Sequence, residues 1–206
     1  MKQQDFLDPS GHLEIYKVYE DGREDKVFSD PNTITSGMGV GLGLLYAGSG
    51  AANITDFQIR YFQLGVSGDT LLSTYGVSET MLASALGQED GISDYKSNAE
   101  SNVPLTYHNL MAWDGGVVPN SQGGSLWYFG LISDNSIKRV DLNSVTYILY
   151  IDRNSCIDVQ INEIGLFMAN PLGVTPQRSQ LVAYRPFTNI QKTNDFSLVF
   201  KWTLNF

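Results

Sequence analysis

The residues with potential chemistry are few and scattered. Gly37-Met-Gly-Val-Gly-Leu-Gly43 has the glycine density of a phosphate cradle. It lacks the GK[ST] of a P-loop and the GxGxxG spacing that follows a strand in dinucleotide folds, so the glycines read as a helix packed closely on a sheet. Ser49 and Ser67 sit beside glycines, but neither completes the G-x-S-x-G elbow of an activated serine. His12 and His108 are the two imidazoles, distant in sequence and outside any HExxH, so zinc is not expected. Asp152, Asn154 and Asp158 offer oxygens to calcium without EF-hand spacing or a closing Glu. A glycosidase needs two convergent carboxylates, and the 22 acids show no pattern that selects a pair. Trp113, Trp127, Tyr128, Phe129 and Trp202 could line a sugar groove or an interface, with core packing the favoured reading. Asn53-Ile-Thr55 is a glycosylation sequon without a secretory signal before it, and is expected to be idle. No catalytic, cofactor-binding or metal residue is assigned, and no cofactor is expected.

Any such residue would have to be positioned by strands. Leu13 to Val18 and Lys26-Val27-Phe28 flank Asp21-Gly22, a hairpin signal. Hydroxyls in Thr33 to Ser36 are expected to cap a helix from Gly37 to Ala47, stopped by Gly48. Asp56 to Val66 has large apolar residues on both faces, as in an interior strand. A short helix is expected at Glu79 to Leu86, followed by a polar loop. Strands are expected at Leu105–Met111, Leu126–Ile132 and Ser144–Asp152, with Gly115-Gly116 and Gln122-Gly-Gly124 as turns. Ile157, Val159 and Ile161 alternate with polar residues and lead into Glu163-Ile-Gly-Leu-Phe167. Leu181 starts another strand, and Phe196 to Phe206 alternates to its last residue. The reading is mainly β: an antiparallel, jelly-roll-like β-sandwich with one or two short helices. It forms a single domain over 1–206, with a helical insertion near 36–48 and a polar loop near 87–103.

Composition narrows the partners. Thirteen Lys and Arg against 22 Asp and Glu leave a net charge of -9. That disfavours the basic face needed for nucleic acid. The apolar run Met38 to Ala47 is half of the ~20 residues a membrane helix needs, so no membrane partner is expected. The single Cys156 cannot form an internal disulfide. The first residues lack an apolar signal region, so the chain is expected to remain in the cytoplasm where it is made until used. Ser, Thr, Asn and Gln outnumber the charged residues, which are only 17% of the chain, a surface suited to packing against other subunits.

Two segments resemble structural proteins of tailed-bacteriophage particles. One runs from Ile34-Thr-Ser-Gly-Met-Gly-Val-Gly-Leu through Phe57-Gln-Ile-Arg-Tyr-Phe-Gln-Leu-Gly-Val66. The other comprises Ile161-Asn-Glu-Ile-Gly-Leu-Phe167, Leu181-Val-Ala-Tyr-Arg-Pro-Phe-Thr-Asn-Ile-Gln-Lys-Thr193 and Phe200-Lys-Trp-Thr-Leu-Asn-Phe206. Together they cover about half the chain. The resemblance implies a non-enzymatic virion protein, with head decoration or cementing placed ahead of a tail, baseplate or fibre role. It implies a homo-oligomer, as a trimer, whose partners are major capsid or tail proteins. Within that pattern Asn162 and Glu163 need buried partners, Arg185-Pro-Phe187 turns its strand out of the sheet, and Lys192-Thr193 sits in a hairpin loop. The alternative from another class is a carbohydrate-binding module for host-surface glycans, with a glycan-cleaving enzyme third.

Overall fold

The computed structural model describes residues 9–48, 53–65, 116–119, 126–158, 160–169, 171–173 and 180–206; for 116–119 and 126–131 it describes the strand pairing. The expected helix at 79–86, strand at 105–111 and loop at 87–103 lie outside these residues, as do Ser49, Ser67, His108 and Trp113. The chain forms β1 (Ser10–Tyr19), β2 (Glu24–Ile34), α1 (Ser36–Tyr46), β3 (Ile59–Gly65), β4 (Gly116–Pro119) and β5 (Leu126–Leu131). It continues with β6 (Ile137–Arg139), β7 (Ser144–Ile151), β8 (Gln160–Met168), β9 (Gln180–Gln191) and β10 (Phe196–Asn205). The fold is mainly β: one curled antiparallel sheet in the order β4-β5-β3-β8-β9-β2-β1-β10-β7-β6, with a single α-helix among the described residues. That helix is too short to cross a membrane.

The β1–β10–β7 strands carry the clearest patterning. Leu13, Trp202 and Tyr147 form one inward row, and Ile15, Phe200 and Leu149 the next; all six are buried. The row between them, Glu14-Lys201-Ile148, and the flanking rows, His12-Thr203-Thr146 and Tyr16-Val199-Tyr150, face outward. Two-residue periodicity therefore separates core from surface here, as expected from Phe196 onward. Gly22, at φ +83°, lets the β1–β2 turn close, with Tyr19 N–H donating to Arg23 C=O at 2.9 Å. The paired strand extends beyond Phe28, through Pro31, to Ile34, and Val27 is the extra residue of a bulge.

Only Thr33 and Ile34 join β2 to β9, opposite Tyr184 and Ala183. The sheet curls across this narrow joint, where Phe187 of β9 meets the rings of Phe28 and Phe200 at 5.7 and 6.4 Å. On the far side, β3 lies between β5 and β8 and is buried at every residue but Arg60. The interior position expected for this segment holds, but its start does not. Ile54–Phe57 is a 3-10 turn in which the Asp56 carboxylate accepts the Asn53 backbone N–H at 2.7 Å, withdrawing that stretch from the ladder.

Other departures have local causes. Ile157 does not extend β8, because Cys156 and Asp158 take φ +57° and +63° and reverse the chain in a turn, and Val159 lies outside the described residues. Gly116 opens an edge strand, β4, instead of serving as a turn. Arg185-Pro-Phe187 does not leave the sheet. β9 continues to Gln191, and the extra residues between the Glu163–Pro186 and Ile161–Ile190 pairs form a bulge that accommodates proline. Lys192-Thr193 links β9 to β10 across the curl and is no hairpin, since those strands are not neighbours. Asn162 and Glu163 are buried with partners, as expected: Asn162 donates to Asn189 Oδ1 at 2.8 Å, and Tyr184 Oη–H donates to Glu163 Oε2 at 2.9 Å.

The helix begins at Ser36 and stops before Gly48, which has φ +65°. Thr35 does not cap it with its side chain. Its hydroxyl instead donates to Leu181 C=O at 2.5 Å, fastening the helix entry to β9. A Cβ at Gly37 would collide with that same carbonyl oxygen, and one at Gly41 would meet the Met168 side chain. At Gly39 and Gly43 a Cβ would meet nothing within 4 Å. Close packing thus accounts for two of the four glycines. Gly39→Ala and Gly43→Ala should each stabilise the fold by about 0.5–1 kcal/mol through helix propensity, whereas Gly37→Ala should destabilise it. Urea denaturation of the three variants checks the opposite signs.

Candidate functional site

The polar residues singled out in the sequence do not converge. His12 lies on the outward face of β1, with Nε2 3.0 Å from Ser29 Oγ. Asp152 is committed to its own turn, where Oδ1 accepts Asn154 N–H at 2.7 Å and Oδ2 accepts Ser155 Oγ–H at 2.8 Å. The Ser155 bond is the main reason its carboxyl titrates below the usual range. Asp158 donates its backbone N–H to Lys192 C=O at 2.9 Å. Among the described residues no three His, Cys, Asp or Glu side chains group as metal ligands. Trp202 is a core residue whose Nε1–H donates to Asn32 Oδ1 at 2.7 Å. For Trp127, Tyr128 and Phe129 the strand pairing alone is described.

A recess opens where α1 crosses the curl. About 400 Å³ lies between Met38 and Leu42 of α1, Phe57 and Ile59 before and within β3, Ile137 of β6 and Tyr147 of β7. These residues come from both ends of the strand order, so closing the sheet creates the recess. An ion pair between Arg60 Nη1 and Asp134 Oδ1 stands at its rim. Arg60 is held there by its own backbone, whose C=O accepts Ile132 N–H at 2.7 Å. Burial pushes the Tyr147 phenol up to about 12. Apart from that phenol, Gln58 and the rim pair, the lining is apolar, which suits it to receive an apolar group by desolvation.

Apolar side chains are also exposed on the elements that line this mouth. Helix α1 contains no charged residue, and it exposes Val40 and Tyr46, the latter at 84%. Ile54, on the same turn as Phe57, is 70% exposed. The uniform apolarity of Met38 to Tyr46 is visible in the sequence, where it fits packing against the sheet. Only Gly37, Met38 and Gly41 are in fact buried. The mouth itself carried no sequence signal, because its residues run from Met38 to Phe206 with no common spacing.

Comparison with family models, curated proteins and solved structures yields no match. The geometry of this apolar mouth and the helix beside it therefore bears the functional reading.

Proposed function

We propose that the chain is a non-enzymatic structural protein of a tailed-phage virion, a head decoration or cement protein ahead of a tail, baseplate or fibre component. In this reading it is a jelly-roll-like β-sandwich that assembles as a homo-oligomer, a trimer, on major capsid or tail proteins after synthesis in the host cytoplasm. The observation that carries it is the apolar mouth continuous with the uncharged helix α1, whose Val40 and Tyr46 are exposed. Large apolar groups exposed on an uncharged helix are characteristic of association surfaces. The sandwich description is supported by the two five-strand halves, which share only the two-pair joint and pack through Phe187.

Sedimentation of the purified chain, together with mass spectrometry of separated phage heads and tails, tests the reading. Association is expected, and Val40→Asp with Tyr46→Asp should abolish it while leaving the circular dichroism unchanged, since both side chains are exposed. A wild-type chain that stays monomeric at high concentration and is absent from heads and tails would overturn the proposal.

A further inference from the structure

A second recess lies on the outward face at the other end of the β1–β10–β7 strands. Val18 and Ser197 are directly paired and form its floor. Tyr150 of β7 stands on one side and Tyr19 on the other, while Glu20, Arg153 and Asn154 supply its polar edge. Its volume of about 380 Å³ falls near the lower end of small-ligand sites, roughly 300–1,000 Å³.

We propose that this cleft binds a neutral saccharide. Tyr150 is 58% exposed, yet its Oη is 2.9 Å from Ser197 Oγ, so the ring is held in place while its surface stays open. An aromatic face fixed before binding receives the C–H face of a pyranose at little entropic cost. Arg153 Nη1 and Glu20 Oε2 pair at 2.8 Å and link the turn after β7 to the turn after β1. Both side chains are substantially exposed, so they present donors and acceptors together at the edge of the cleft. Vicinal hydroxyls, each a donor and an acceptor, match such a pair. A charged ligand does not match it as well, because one member of the pair always opposes it. Asp152 keeps its negative charge, which further disfavours an anionic ligand, while its oxygens are taken up by Asn154 and Ser155. Tyr19 is fixed as well, edge-on to Phe196 at 6.0 Å and covered by Arg23 at 4.0 Å. The ring available for stacking is therefore Tyr150.

The test is an amide-resolved NMR titration of the full chain with glucose, galactose and N-acetylglucosamine, and with maltose, lactose and chitobiose. At least one sugar should bind with a millimolar constant and shift amides confined to 18–20, 150–154 and 197. Tyr150→Ala should weaken that binding by about tenfold or more, whereas Tyr150→Phe, which keeps the ring, should hold it within about threefold. Arg153→Gln should weaken it without moving the melting temperature, since the ion pair is exposed. No shift with any sugar at about 50 mM, a weak limit even for single-ring ligands, would overturn the proposal. So would shifts unaffected by Tyr150→Ala, or inorganic phosphate binding these residues more tightly than every sugar.

Discussion

Trp202→Ala is expected to destabilise the protein by about 3–5 kcal/mol, the range for removing a large side chain from a packed core. Trp202 is 0% exposed and lies between Leu13 and Tyr147 in the row that crosses β1, β10 and β7. These three strands form the middle of one half of the curled sheet, so the cavity would open against residues held on both sides by ladder hydrogen bonds. Such surroundings collapse poorly. The substitution also removes the Nε1–H donor from Asn32 Oδ1. Trp202→Phe separates the two effects: it keeps a ring and loses the bond, and should cost less than Trp202→Ala. Urea unfolding followed by circular dichroism measures both, and the alanine variant should melt roughly 10 °C lower at this chain length. A Trp202→Ala protein as stable as the parent would mean that this row does not carry the core.

That row was legible because a strand with one dry and one wet face imprints its period on the sequence. Phe196, Leu198, Phe200, Trp202 and Leu204 are all buried, and Val199, Lys201 and Thr203 are half-buried on the other face. The same rule holds at Ile161, which is buried in β8, but fails at Ile157. Alternation cannot report that Cys156 and Asp158 adopt positive φ, and Ile157 is consequently exposed at a turn. Thr35 misled for a different reason. Its hydroxyl is well placed in sequence to cap α1, but Leu181 C=O, 146 residues later, takes the hydrogen bond. A cap would have the hydroxyl oxygen accept a helix N–H, and nothing local reports that the hydroxyl turns to a distant carbonyl instead.

Both recesses were illegible for a topological reason. The apolar mouth is completed when β6 and β7 close over β3 and α1, and the polar cleft when the turns after β1 and β7 meet at Arg153–Glu20. Val18, Tyr150 and Ser197 become neighbours through the order β1-β10-β7, in which the last strand of the chain is inserted between two earlier ones. Sequence patterning marked these strands individually, but the order that brings their side chains together is a long-range property. The residues that form the recesses therefore carry no common spacing in the sequence.

The same buried core makes the protein vulnerable to alkali. Burial pushes Cys156 from 9.0, and Tyr61 and Tyr147 from 10.0, up to about 12 in the folded chain. A group whose pKa is raised by folding stabilises the fold fully while both states keep the proton. Above pH 9 the unfolded chain begins to release the Cys156 proton and the folded chain does not. Above pH 10 the two tyrosines do the same, and stability falls until about pH 12, where the folded groups also ionise. Within this window each group costs about 1.4 kcal/mol per pH unit, so the loss by pH 11 should be several kcal/mol relative to pH 8. Lys192 acts in the opposite direction. Its side chain is buried, with Nζ–H donating to Arg153 and Thr193 carbonyls at 3.0 and 2.7 Å, and desolvation holds its pKa below 10.5. As pH rises from that depressed value towards 10.5, the folded chain gives up the lysine proton first and gains stability. One such group offsets only part of the loss from three. Cys156→Ala should therefore move the onset of alkaline destabilisation from about pH 9 to about pH 10, whatever constant cost it adds at neutral pH. Urea midpoints from pH 7 to 11 measure the shift, and an onset unchanged by Cys156→Ala would show that the thiol is not held protonated by the fold.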